Sequence, residues 1–210
     1  MHEQLPIFPL GIVVFPTESL NLHIFEPRYK QLIKECEETG MTFGIPTYLD
    51  GKIKEVGTEV QLKEIVNTYP DGRIDIRSEG IRTFKLSNIQ HPISGKLYSG
   101  GNADYIEPVD DSIVTERILL VEKASRLFDL MEVDVSFPIE SKFLSFKIAH
   151  KIGLSLPQEY HLLTIHSESD RINFILDHLS RAIPIVQEME KSKEKIKMNG
   201  HFKHFDPLNF

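Results

Sequence analysis

Around residue 107 the hydrophobic period of this chain changes, and that change limits the folds open to it. Up to Ile106 apolar residues alternate or run in short blocks between turn-forming residues, as strands do. From Ile113 they recur every three to four residues. Ile113, Val114, Arg117-Ile118, Val121, Ala124-Ser125 and Phe128 trace one helix face, widened by Leu120, Leu127 and Met131. Between the two regimes, Glu107-Pro108-Val109-Asp110-Asp111-Ser112 is polar, carries a proline and ends in residues suited to cap a helix. Strands followed by helices predict an α+β chain. The expected parts are a β lobe over 1–109, a helical bundle over 110–197 and an aromatic tail over 198–210. A length of 210 residues is ample for such cores.

The β lobe has strand candidates at 6–15, 20–25, 41–48, 53–68, 73–79, 82–90 and 94–106. In the first, Ile12-Val13-Val14-Phe15 leaves no polar side, which predicts a strand buried on both faces between Pro9 and Pro16. One helix interrupts the strands. Pro27 suits its first position, Tyr29, Leu32, Ile33 and Cys36 form its apolar stripe, and Gly40 supplies a left-handed cap. Glu26 is placed to favour the helix N-terminus, and Arg28 to pair with a carboxylate of the barrel. Asp71-Gly72 signals a tight hairpin. Many strands with frequent turns suggest a closed or nearly closed barrel. In the helical half, Pro138 is expected to open a second helix stopped by Gly153, Pro157 a third, and Ser167 or Ser169 a long last one kinked at Pro184.

Several short motifs follow in order: Leu5-Pro6-Ile7-Phe8-Pro9-Leu10, Val13-Val14-Phe15-Pro16, Leu22-His23-Ile24-Phe25-Glu26-Pro27-Arg28-Tyr29, Phe43-Gly44-Ile45, Val56-Gly57-Thr58, Asp71-Gly72-Arg73 and Gly80-Ile81-Arg82-Thr83-Phe84. Together they resemble the Lon protease N-terminal, or Lon substrate-binding, domain family. One departure is Thr83, where the family's G-x-x-R-F element has arginine. The resemblance implies an N-terminal PUA-like pseudo β-barrel with one helix, followed by a C-terminal α-helical bundle. It also implies a non-catalytic module that binds protein or peptide segments. No G-x-x-x-x-G-K-[ST] phosphate loop occurs. The chain is therefore expected to be a stand-alone member without the family's ATPase and peptidase domains, and not an enzyme.

Composition narrows the remaining classes. With 40% hydrophobic and 26% charged residues the chain reads as a soluble globular protein, and no run reaches a membrane span. The single cysteine, Cys36, excludes an intramolecular disulfide and fits a cytoplasmic location. A net charge of −7 argues against a general nucleic-acid binder, unless Arg73, Arg77, Arg82, Lys85 and Lys96 gather on one face. A PUA-like small-ligand or RNA-binding role is the alternative to protein binding. No metal or cofactor is expected. His201-x-x-His204-x-Asp206 has ligand-like spacing, but its neighbours Phe202 and Phe205 read as packing residues. Cys36, on an apolar helix stripe, reads as a small hydrophobe rather than a nucleophile.

The partner-binding candidates are aromatic residues at turns and strand ends, Phe15, Tyr48, Tyr69 and Tyr98, with Arg82 as a polar anchor. Phe202, Phe205 and Phe210 of the tail join them, because large apolar groups there call for a groove on this chain or on a neighbour. The expected partners are unfolded or peptide-like protein segments, or a folded protein. The oligomeric state is open, a homodimer included.

Overall fold

The computed structural model describes residues 3–201. Phe202, Phe205, Phe210 and most of the expected tail therefore lie outside the described residues, as do His204 and Asp206. Six strands form the N-terminal sheet: β1 (Glu3–Ile7), β2 (Ser19–Ile24), β3 (Phe43–Leu49), β4 (Lys52–Thr68), β5 (Ile74–Gln90) and β6 (Ser99–Ile106). Five of them close a ring in the order β6-β1-β3-β4-β5, with β5 returning to β6. The β1–β3 pair is parallel and the others are antiparallel. Closure leaves those strands without open edges. β2 stands outside the ring as a sixth strand, paired to β5.

The segments expected as two strands, 73–79 and 82–90, are one strand with a bulge. Glu59 pairs with Arg82 and Val60 with Gly80, so Ile81 is the extra residue. Before the bulge β5 runs between β2 and β4, and after it between β4 and β6. An inserted residue bends a strand and raises its twist. Here it marks where β5 passes from a three-stranded ribbon into the barrel.

The expected strand over Ile12–Phe15 is corrected. Val13, Val14 and Phe15 are buried at 2%, 1% and 1% exposure, but Ile12 is 38% exposed and the stretch is not a strand. Pro9 and Pro16 remove ladder donors, so the backbone is held piecewise. The Thr58 hydroxyl donates to the Val14 carbonyl, and the Phe15 N–H donates to the Glu18 carboxylate at 2.8 Å.

Helix α1 (Pro27–Thr39) forms as its sequence dictates. Pro27 opens it, and Gly40 at φ 73° closes it by donating to the Cys36 carbonyl. Tyr29, Leu32, Ile33 and Cys36 pack into a core with Phe8, Ile24, Phe43, Ile45 and Ile76. Glu26 makes no side-chain cap; its carboxylate instead takes the Arg28 guanidinium at 2.7 Å.

The remaining helices are α2 (Val114–Leu130), α3 (Leu144–Ala149), α4 (Leu156–Thr164) and α5 (Glu168–His201). The described residues divide into two units. The barrel unit runs to Asp110 and takes in Leu154–Glu168, and the helical unit holds Asp111–Gly153 and the chain from Ser169. The single boundary at 109/110 thus misplaces α4, whose Leu162 and Leu163 are buried and whose Tyr160 hydroxyl accepts the Val56 N–H at 3.3 Å. A parallel bridge between Val109 and Ser167 ties its far end to the barrel unit. Within the helical unit, Pro138 opens no long helix; α3 is short and follows Phe143, whose φ is 51°. Asp111 does cap a helix, but the helix is α5, through the Ser169 N–H at 3.1 Å. α5 continues through Pro184.

Candidate functional site

The sequence-nominated residues fall into different environments. Phe15 and Tyr98 belong to the core at 1% and 2% exposure, which corrects their placement among contact residues. The Tyr98 hydroxyl donates to Glu35 of α1 at 2.5 Å, and Lys96 reaches the same carboxylate oxygen at 2.7 Å. Their role is to bind the turn before β6 to α1. The Lys96 hydrogen bond, then that of Tyr98, holds the Glu35 carboxyl below the usual carboxylate range. A depressed folded pKa stabilises above the unfolded value of about 4.3, and that stability is lost as pH falls through the folded value. The stability difference between the native protein and Glu35→Gln is thus expected to be largest near neutrality and to shrink below about pH 4, read by urea denaturation at stepped pH. A constant difference would show that the charge on Glu35 does nothing.

Arg82 is engaged inside the barrel unit. Its Nε donates to the Glu59 carboxylate at 2.6 Å, and its guanidinium carbon stands 3.5 Å from the Tyr105 ring centroid. Glu59, only 4% exposed, also accepts from Thr42 at 2.6 Å and Tyr105 at 3.3 Å. The hydrogen bond to Glu59 raises the guanidinium's pKa further. A buried carboxylate needs such partners, so Arg82 neutralises Glu59 and is not a free anchor. The other cations of the nucleic-acid alternative are matched as well. Arg73 pairs with Asp71 at 2.7 Å, Arg77 with Glu64 at 2.5 Å, Lys85 with Glu55 at 3.4 Å and Lys96 with Glu35 at 2.7 Å. These residues present no unbalanced basic face for phosphates.

Tyr48, 48% exposed, lies near the end of β3, where its N–H donates to the Leu10 carbonyl. Tyr69 leads to a site. It is half-buried beside the Asp71-Gly72 hairpin, and its hydroxyl donates to Asp75 at 2.7 Å. The other Asp75 oxygen meets His23 Nδ1 at 2.6 Å, because His23 of β2 and Asp75 of β5 are register partners. The His23 and Tyr69 rings meet edge-on at 5.8 Å, and the Arg73 guanidinium lies 5.2 Å from the Tyr69 centroid. The hydrogen bond from His23, then that from Tyr69, lowers the Asp75 pKa. Around this network the outward face of the β2-β5-β4 ribbon forms a depression of about 370 Å3, lined by Asn21, His23, Val66, Asp75 and Arg77 among others. Val66 is 55% exposed and Phe25, next to the end of β2, is 59% exposed.

This arrangement is suited to contact more than to covalent chemistry. His23 and Asp75 form an orienting pair, but the one cysteine is buried in α1, where burial pushes its thiol up to about 12. Among the described residues no three His, Cys, Asp or Glu side chains form a metal cluster. What the ribbon does offer is an outer strand, β2, next to exposed apolar groups and side chains able to donate and accept. Sequence reasoning reached Tyr69 but missed His23, Phe25, Val66 and Asp75. The Asp75 contact with Tyr69 was within reach, since the hairpin brings those two residues together; the pairing with His23 needs the strand register.

A family model described as ATP-dependent protease La (LON) substrate-binding domain matches residues 4–181. Among solved structures, the chain is similar to a Lon N-terminal domain protein from Xanthomonas campestris, at 29% identity and a TM-score of 0.67, over 83% of this chain and 98% of that one. It is also similar to the N-terminal domain of a Mycobacterium avium complex Lon protease, at a TM-score of 0.63 over 85% of this chain and 98% of that one. Identity there is 12%, so that likeness speaks for the fold alone. Among the described residues no helix is long and apolar enough to cross a membrane.

Proposed function

Because the chain belongs to the ATP-dependent protease La (LON) substrate-binding domain family, we propose that it is a non-catalytic module that recognises extended protein segments and so delivers, protects or regulates its clients. The observation that most supports this reading is β2, a strand outside the closed ring with β5 as its strand neighbour. An extended segment laid along β2 would gain main-chain hydrogen bonds that ask little of its sequence. Side chains of the segment would meet Phe25 and His23 beside β2, and residues flanking it would cross the outward face of the ribbon to Asp75 and Arg77 of β5 and Val66 of β4. The pairing of Arg73, Arg77, Arg82, Lys85 and Lys96 with carboxylates favours this reading over RNA binding. We take the compartment to be the cytoplasm, a choice supported by the single buried cysteine.

The test is fluorescence anisotropy with a labelled, permanently unfolded protein, and labelled single-stranded RNA as control. Saturable, salt-tolerant binding of the unfolded chain alone is expected. Phe25→Ala with Val66→Ala should weaken it at least about ten-fold, which is about 1.4 kcal/mol. Both side chains are exposed, so the fold measured by circular dichroism should persist. Undiminished affinity in the double variant would remove the β2 site. Steeply salt-dependent RNA binding would overturn the functional reading itself.

A further inference from the structure

The first turns of α5 are packed, with Ile172, Ile175 and Leu179 fully buried. After Pro184 the apolar residues continue but lose their cover. Ile185, Met189 and Ile196 are 61%, 56% and 71% exposed. With Pro184, Glu188, Ser192 and Lys193 they line a shallow depression of about 620 Å3. Positions 185, 189, 192 and 196 follow the i, i+4, i+7, i+11 spacing, so they share one helix face. Large apolar groups gathered on one face mark a contact surface.

Two coverings compete. A second copy of α5 could pair along the same face, but the stripe spans fewer than two heptads, and a coiled coil needs at least about three. The other covering is the chain's own continuation. Residues 202–210 follow His201 directly and bring Phe202, Phe205, Leu208 and Phe210. From His201 back to Ile185 is 16 residues of helix, about 24 Å at a rise of about 1.5 Å per residue. Nine extended residues reach about 30 Å, so the tail can span the whole stripe. Pro207 biases Asp206 towards an extended backbone. Tethering adds an effective concentration in the millimolar range, far above that of a second copy in dilute solution.

We propose that residues 202–210 fold back along α5 and seat Phe205, Leu208 and Phe210 on the stripe of Ile185, Met189 and Ile196. This contact is independent of the β2 site. The test uses paired cysteines in the full chain, Met189→Cys with Leu208→Cys. A control pair places the first cysteine on the opposite helix face, Lys191→Cys with Leu208→Cys. Cys36 is 3% exposed and stays out of the exchange. In a glutathione redox buffer at low micromolar protein, the 189/208 pair is expected to close an intrachain disulfide at least about ten-fold faster than the 191/208 pair, at a rate independent of concentration. Both the monomer mass and the loss of free thiol report it. Equal rates for the two pairs would overturn the docked tail. A predominantly interchain disulfide at 189/208 would also overturn it, in favour of a second copy as the covering partner.

Discussion

Arg171→Ala is expected to cost the helical unit about 3–5 kcal/mol. Arg171 lies on α5, is fully buried and is among the largest fully buried side chains of the described residues. Its Nε donates to the Ser145 hydroxyl at 3.0 Å, and its guanidinium carbon lies 4.4 Å from the Phe146 ring centroid and 5.5 Å from that of Phe143. Truncation removes these contacts and leaves the buried volume of a large side chain empty. A desolvated cation over an aromatic face contributes about 2 kcal/mol alone. Arg171→Lys retains the charge but not the planar group that stacks on the rings, and should fall between the native protein and the alanine variant. Arg171→Met fills most of the volume and should be milder than alanine, since a buried ion can often be exchanged for an apolar side chain of similar size. Urea denaturation followed by circular dichroism reads all three. Should alanine cost less than about 1 kcal/mol, the guanidinium would contribute little to the packing of this unit, below the range for breaking buried charged contacts.

Arg171 also shows where sequence reading runs out. The stripe Ile172, Ile175, Leu176 and Leu179 gives α5 an inner face, but a charged residue beside it reads as solvent-facing until its neighbours from α3 are in place. α1 was legible down to its cap, because Pro27, the 29-32-33-36 stripe and Gly40 act locally. Ile12–Phe15 was legible as buried in part but not as irregular, since composition reports burial while Pro9 and Pro16 decide the backbone. α4 was legible as a helix, but its place with the barrel unit depends on contacts with β3 and β4. The candidate site shows the same limit. Tyr69 was visible as an aromatic at a hairpin, whereas His23 and Asp75 are 52 residues apart and meet through the register of β2 on β5. Tyr98 looked like Tyr69 in sequence, yet the carboxylate of Glu35 draws it inward.

The motifs that carry the family resemblance converge on one ring, and this leads to the other large effect expected. Phe84 is fully buried, packed with Leu5, Ile7, Leu86 and Ala103. Its ring enters a slot left by two glycines. A Cβ on Gly44 would stand 2.7 Å from Phe84 Cζ and 2.7 Å from Leu5 Cδ2; one on Gly57 would stand 2.8 Å from Phe84 Cζ and 2.6 Å from both the Ile45 carbonyl oxygen and Pro46 Cα. Gly57 and Phe84 are direct register partners. Phe84→Ala is expected to cost about 3–5 kcal/mol by emptying the slot. Gly44→Ala and Gly57→Ala overfill it, at about 1–3 kcal/mol or more. The two glycines differ in what they press on, because Gly44 meets side chains alone and Gly57 also meets backbone. A shorter residue at 84 relieves the ring's part of the first clash and leaves only the flexible end of Leu5 to move, whereas the backbone part of the second clash stays. In a Phe84→Leu background Gly44→Ala should lose a large part of its cost, a coupling of about 0.5–3 kcal/mol, with the remainder set by Leu5, while Gly57→Ala should keep most of its cost. Double-mutant cycles by urea denaturation decide the matter. Equal relief at both glycines would mean that β3 and β4 can part at Pro46 and that the ring alone sets the fit. No relief at Gly44 would place its constraint on Leu5.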